Sequence, residues 1–508
     1  MEKIIEMKEI TKIFPGIIAN NKVNFDLLQG ETHVLLGENG AGKTTLMNVL
    51  YGLYQPESGE IYIQGTSTKI NTPHAAIKLG IGMVHQHFML INNFTVAENI
   101  ILGMEPKKGL KIDMKSAILE VEKLSKAYGF NVNAKDKIED LSVGQQQKVE
   151  ILKALYRKAR VLILDEPTAV LTPQEIEELA NIISMLKKEG KSFILITHKL
   201  KEVMNMSDRI TIIRRGEVIK TLNTKGTNID ELAEMMVGRK VNLKVNKSNK
   251  EAGEAILEIN KLNAEDERGV KVVKDVDLTV KSGEIFGIAG VDGNGQSELI
   301  DILTGLRKAQ SGSIKLNGKE VTGRSTREIM DEGVGHIPED RHKRGLVLKF
   351  SLFENSILGL QNNKAFKNKF FLNYKKIKEH CRSLIKQFDV RTPSEEVTAA
   401  SLSGGNQQKL IIAREIFKQP SLLIAAQPTR GLDVGAIEYI HKQLVSEREN
   451  GKAVLLVSLE LDEILSLSDR IGVMYDGKIV AVLENKGVDE KTLGILMAGG
   501  SINKDKTL

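Results

Sequence analysis

The run GENGAGKTT at 37–45 has the residue types and spacing for phosphate chemistry. Glycine-rich turns let backbone N–H groups curl around phosphate oxygens, and a helix start adds partial positive charge. Gly37, Asn39, Gly40, Ala41, Gly42 and Thr45 form the expected cradle, Lys43 is expected to reach the β- and γ-phosphates, and Thr44 to ligate Mg²⁺. A second constellation is Asp165–Glu166, which closes the apolar run VLILD. Asp165 suits a metal carboxylate, and Glu166 suits orienting or deprotonating an attacking water.

Those side chains need particular elements. HVLLGENGAGKTTLMNVLYG reads as strand, glycine loop and helix. VLILD at 161–165 and FILIT at 193–197 are short β-rich runs of the kind buried on both faces of a parallel sheet. The helix between them starts at Thr172, Pro173 and Glu175, a capping-box pattern with proline in the first turn, and stops at Gly190. Strand, helix, strand requires a crossover connection. Asp165 and Glu166 then lie at the C-terminal sheet edge, where α/β sheets bind ligands.

The chain is an internal duplication. Gly37 recurs as Gly290, 253 positions on; FTVAENIILG at 94–103 recurs as FSLFENSILG at 350–359, 256 on; LSVGQQQK at 141–148 recurs as LSGGNQQK at 402–409, 261 on. A period this long means two copies of a domain. The expected division is a first domain at 1–238, a polar Lys- and Asn-rich linker at 239–254, and a second domain at 255–500. With 508 residues, 41% hydrophobic content and a net charge of +6, the chain suits two soluble domains and gives no charge argument for nucleic acid. The start, MEKIIEMKEI, lacks an apolar core and does not read as a secretory signal. The single cysteine, Cys381, excludes an internal disulfide, and a reducing compartment fits.

LSVGQQQKVEILKAL and LSGGNQQKLIIAREI, each after a phosphate loop, resemble the signature segment of ATP-binding cassette (ABC) ATPases. The resemblance covers nearly the whole chain. It implies an α/β fold of two tandem ABC ATPase (P-loop) domains, each a RecA-like core with an antiparallel β subdomain and a helical subdomain. It implies ATP and Mg²⁺ as cofactors, Gln86 as the glutamine-loop residue and a further metal ligand, His198 as the switch histidine, and Phe14 as the aromatic stacked on adenine. In the second copy Lys43, Asp165, Glu166, His198 and Gln86 are replaced by Gln296, Ala426, Gln427, Leu459 and Glu339. The signatures show the reverse asymmetry, with Val143 where the second copy has Gly404. Cassettes of this family pair head to tail. The resemblance therefore assigns Ser403, Gly404, Gly405, Asn406 and the D-loop residue Asp433 to the site of the intact first loop.

EPTAVLTP, AAQPTRGLDVGAIEYIHKQLV and VGHIPEDRHKRGLVLKFSLFEN look most like the nucleoside branch of the bacterial carbohydrate and nucleoside importers. Sugar-importing relatives usually keep an acidic pair where this chain has Ala426 and Gln427. The implied partners are integral membrane permease subunits and, indirectly, an extracytoplasmic nucleoside-binding protein, with the chain on the cytoplasmic face of the membrane. Ribose- or galactose-type import is the alternative. A tandem-cassette translation factor fits less well, although KAFKNKFFLNYKKIK at 364–378 interleaves lysines and aromatics in a way that suits RNA or anionic lipid. The simpler reading of that run is an amphipathic stretch of the helical subdomain, and no nucleic acid is expected.

Overall fold

The computed structural model describes residues 2–500, except 86–87, 169–170, 172, 241–246, 249–250, 267 and 369–370, and not the side chain of Pro173. The chain forms two compact units, Met1–Val241 and Asn242–Leu508.

Each unit has one six-stranded sheet. In the first unit its order is Glu217–Asn223, Arg209–Arg214, Thr32–Leu36, Ser192–Thr197, Val161–Asp165, Ile81–Val84. All neighbours are parallel except the first pair. Thr32–Leu36, Val161–Asp165 and Ser192–Thr197 are buried throughout, so each reads as a continuous apolar run rather than an alternating one. Register places Leu36 opposite Thr197, and Asp165 opposite Ile196. The residues that follow these strands therefore emerge along one edge. The second unit repeats the design: Ala289 pairs with Ser458, and Ala426 with Val457.

A four-stranded antiparallel sheet completes each core, built on the hairpin Lys3–Phe14/Ile17–Leu28 in the first unit and Ala255–Glu265/Lys271–Lys281 in the second. A helical subdomain follows, Val96–Ile101, Met114–Ala127 and Val143–Tyr156, matched by Leu352–Ser356, Tyr374–Gln387 and Gly404–Phe417. The FTVAEN and FSLFEN repeats start its first helix with capping boxes, Thr95 with Glu98 and Ser351 with Glu354.

The run 364–378 is only partly helical. Phe366 is buried, Lys367–Asn368 and Phe371–Leu372 form a small hairpin, and helix begins at Tyr374. Asn373 N donates to Phe366 O, which closes the hairpin before the helix can start. The expected helix at 173 is present as Pro173–Lys188, and Thr172 lies outside the described residues. Within the 239–254 segment, Lys247 is anchored on the second unit. Its ammonium donates to Leu467 O at 2.9 Å and Ser468 O at 2.7 Å.

Candidate nucleotide site

In the first unit the phosphate loop joins strand Thr32–Leu36 to helix Lys43–Leu50. Gly42 stands at the helix start with φ 100° and ψ 5°. A Cβ there would lie 2.2 Å from Ala19 O and 2.7 Å from Asn20 Nδ2, so only glycine fits. Buried Asn20 donates to Gly42 O at 3.0 Å, and Gly216 N donates to Ala41 O at 3.0 Å. These bonds fix the loop from two neighbouring segments. No side chain caps helix Lys43–Leu50, which leaves its first-turn N–H groups as donors for an anion. Asn39, Gly40 and Thr44 are exposed, Thr45 is half-buried, and Gly37 and Ala41 are buried beneath them.

Lys43 is buried, and its ammonium donates to Gly37 O at 2.7 Å and Glu38 O at 2.9 Å. Burial pulls its pKa down against the charges of Glu166, Asp165 and Glu38. Thr44 Oγ1 faces Asp165 Oδ1 at 3.5 Å. Burial raises the Asp165 carboxyl to about 6, the Glu166 charge adds to the rise, and the Thr44 hydroxyl and Lys43 oppose it. A buried carboxylate facing a hydroxyl is a hard-oxygen pair that fits Mg²⁺. Gln86, the remaining expected metal ligand, lies outside the described residues.

Glu166 has φ 47°, an uncommon left-handed value for a non-glycine residue. Its N–H donates to Ile196 O at 2.9 Å, and its Oε1 lies 3.0 Å from His198 Nδ1. Burial pushes this carboxyl up, but the His198 bond and charge, with Lys43 and Lys199, outweigh it and hold the group below the usual glutamate range. An ionised carboxylate with a fixed imidazole partner can orient a water.

Glu202 stands behind the pair. It accepts from Thr168 Oγ1, and from Thr197 Oγ1 at 3.2 Å. Gln147 Nε2 ties the signature helix of the same unit to Pro167 O at 2.6 Å. Phe14, at the end of strand Lys3–Phe14, meets Tyr54 edge-on with ring centroids 5.4 Å apart. Ile17–Leu28, the strand paired with that of Phe14, also carries Asn20, so this aromatic pair shares a hairpin with the residue that grips the loop.

The second unit keeps the backbone and loses the chemistry. Gln427 has φ 46°, its N–H donates to Val457 O at 2.7 Å, and Leu459 N donates to its Oε1 at 3.2 Å. The strained turn of Glu166 is thus inherited without its acid or its histidine.

The two signatures differ in how their helices are capped. Ser142 makes a full capping box with Gln145, so its hydroxyl serves its own helix. Ser403 makes no such bond; its Oγ accepts from Asn406 Nδ2 at 2.9 Å, and helix Gly404–Phe417 keeps its first-turn N–H groups free of a side-chain cap. Asp433 caps helix Val434–Glu449 through Ala436 N at 2.7 Å and lies beside Gly405. In the first unit the Glu175 carboxylate sits against Gly144, where a Cβ would approach its Oε1 to 2.1 Å. A carboxylate in that place disfavours an anion at the helix start.

Sequence reasoning missed Asn20, Tyr54, Glu202 and the crowding by Glu175. Glu202, four residues after His198, and Tyr54, in YGLY, carried a positional signal; Asn20 carried none.

The family profile described as ABC transporter matches residues 20–169 and 273–430. The chain belongs to the ABC transporter family and carries two of its ATP-binding cassettes. It is 57% identical over 501 residues to the guanosine import ATP-binding protein NupO of Bacillus subtilis, covering 99% of this chain and 98% of that one. It is 54% identical to the nucleoside import ATP-binding protein NupA of Lactococcus lactis subsp. cremoris, covering 99% of both. The glucose import ATP-binding protein TsgD13 of Haloferax volcanii is 44% identical, covering 98% of this chain and 96% of the relative. Among solved structures, the archaeal ribosome recycling factor aABCE1 in complex with stalk protein aP1 is similar at TM-score 0.61 and 19% identity, covering 94% of this chain and 90% of that one. At that identity the likeness shows the fold alone.

Proposed function

We propose that this chain is the ATP-hydrolysing subunit of a bacterial ABC importer that energises nucleoside uptake through a separate membrane permease. The observation that carries the catalytic half of the reading is the Glu166–His198 pair beside Lys43, Thr44 and Asp165, of which the second unit keeps only the hydroxyl, as Ser297. Likeness to two nucleoside-import ATP-binding proteins over nearly the full chain supports the transported class.

The residues divide the work as follows. Lys43 leaves Gly37 O and Glu38 O to meet phosphate oxygens. Thr44, Asp165 and Gln86 would hold Mg²⁺, which when bound neutralises phosphate charge. Glu166 orients the attacking water, and His198 fixes Glu166. Phe14, with Tyr54, packs against the base. By the family resemblance Ser403, Gly404, Gly405, Asn406 and Asp433 belong to the hydrolysing site, and the uncapped helix start of this signature is the better anion donor of the two. An extracytoplasmic binding protein delivers the nucleoside, and the chain works at the cytoplasmic face. Among the described residues no helix is long and apolar enough to cross a membrane.

The test is uptake of labelled guanosine, ribose and glucose in cells lacking this chain, with and without its return. Restored guanosine uptake is expected. Restored sugar uptake alone would move the transported class and leave the ATPase assignment standing.

A further inference from the structure

The second unit preserves the shape of the phosphate loop while replacing its balanced Glu38 and Lys43 charges by two acids, Asp292 and Glu298. Gly293 and Gly295 have φ 82° and 101°, against 79° and 100° at Gly40 and Gly42. Helix Gln296–Leu303 starts at Gly295 with no side-chain cap. Yet Gln296 replaces Lys43, Asp292 stands at the position of Asn39, and Glu298 at that of Thr45. Gln296 is only 7% exposed, and its Nε2 has no hydrogen-bond partner. That atom lies 2.1 Å from where a Cβ on Gly290 would sit, so the unmet donor is folded into the loop itself. A buried donor in a phosphate cradle calls for an acceptor.

A second, independent contact lies beside it. Ser297 Oγ donates to Glu339 Oε2 at 3.0 Å. In the first unit the matching hydroxyl, Thr44, faces Asp165. Since Ala426 stands at the position of Asp165, the carboxylate opposite the hydroxyl has moved from the end of strand Leu422–Ala426 to the segment after strand Val334–Ile337. Arg344, the base toward which the Glu339 charge acts, is paired with Asp301.

Polyphosphate entering this loop meets carboxylates and no lysine, which is unfavourable unless a cation comes with it. A hydroxyl and one carboxylate, supplemented by phosphate oxygens and water, are a usual protein share of a Mg²⁺ shell. Among the described residues no three His, Cys, Asp or Glu side chains could hold a metal by themselves, so phosphate must supply the remaining ligands.

We propose that the second unit binds a nucleoside polyphosphate only as its divalent-metal complex, with Ser297 and Glu339 as the protein ligands of the ion and the Gln296 amide as a phosphate donor. It holds that complex without hydrolysis, because Gln427 and Leu459 replace the acid and the histidine. The inference rests on the cassette reading and extends it to a site of different chemistry.

The experiment uses the full chain with Lys43→Ala and Asp165→Ala, which silence the first loop. Binding of radiolabelled ATP and ADP is measured by equilibrium dialysis with Mg²⁺, Mn²⁺ or EDTA, and bound Mn²⁺ by paramagnetic resonance. Bound nucleotide with Mn²⁺ beside it is expected, and EDTA should lower affinity by roughly tenfold or more. Glu339→Ala should reproduce that loss in Mg²⁺, and Gln296→Lys should restore binding in EDTA. Equal affinity with and without the cation, an unchanged Glu339→Ala chain, or no nucleotide on the silenced chain overturns the proposal. Should Glu339→Ala misfold by circular dichroism, the EDTA comparison and Gln296→Lys still decide. The unmutated chain runs in parallel: its failure to bind any ATP would fall on the cassette reading, whereas binding confined to the first loop overturns this inference alone.

Discussion

Glu166 shows at the residue scale how environment assigns a role. Asp165 and Glu166 are adjacent carboxyls in one strained turn, yet burial lifts the first to about 6 while His198 and neighbouring lysines hold the second down. In the proposed mechanism the first gains from a cation and the second, held below the usual glutamate range, orients the water. Glu166→Gln is therefore expected to retain ATP binding while lowering turnover by roughly 100-fold or more, measured as phosphate release beside nucleotide binding. Half the original turnover would mean that a second carboxylate does the work.

At the scale of elements, helix starts separate the two signatures. Ser142 caps its own helix, so Ser142→Ala should lower stability by about 1 kcal/mol with little change in hydrolysis. Ser403 makes no cap bond, so Ser403→Ala should leave the melting temperature nearly unchanged and lower turnover by about tenfold or more. Equal effects of the two changes on hydrolysis would contradict the assignment of the second signature to the first loop.

Strand Val334–Ile337 offers a pH test at the same scale. His336 Nε2 is buried without a partner, and burial pushes this histidine down to about 4, with Glu415 and Asp301 opposing and Arg344 and Lys418 assisting. The folded pKa lies below the unfolded one, so the unfolded chain binds the extra proton first. Stability should fall as pH drops from about 6.5 to about 4, by on the order of 2–3 kcal/mol. Met83 stands at the matching position, and His336→Met should flatten that slope in urea unfolding of the second unit.

For the whole molecule the question is how ATP use reaches a membrane partner. The first unit has a groove of about 480 Å³ beside the segment after Ile81–Val84, lined by Tyr51, His85, Met89, Leu102, Glu105 and Lys153. Met89 is 63% exposed at its mouth, an apolar side chain suited to a permease segment. In the second unit the positions of Lys153, Ala154 and Arg157 hold Arg414, Glu415 and Lys418, which are locked to one another. Coupling should therefore run mainly through the first unit. Met89→Glu with Glu105→Lys is expected to cut nucleoside uptake several-fold in cells and to leave hydrolysis by the purified chain within about twofold, because docking and phosphoryl transfer use different surfaces. Parallel loss of both would place the groove in the catalytic machinery.

Much of this was legible in the sequence because it is local. Phosphate loop, Asp-Glu strand end, capping boxes and duplication depend on residues close in the chain, where periodicity and turn chemistry suffice. Replacement of Lys43 by Gln296 and Glu166 by Gln427 could likewise be read by alignment of the chain with itself. Tertiary structure alone decided which distant groups meet. Asn20 grips Gly42, Glu202 braces Thr197, Glu175 crowds Gly144, and Glu339 takes up Ser297. The hairpin inside 364–378 likewise depends on Phe366 finding a buried place before helix Tyr374–Gln387 begins. Such contacts are set by sheet register and side-chain packing between segments far apart in the chain, and no local spacing encodes them.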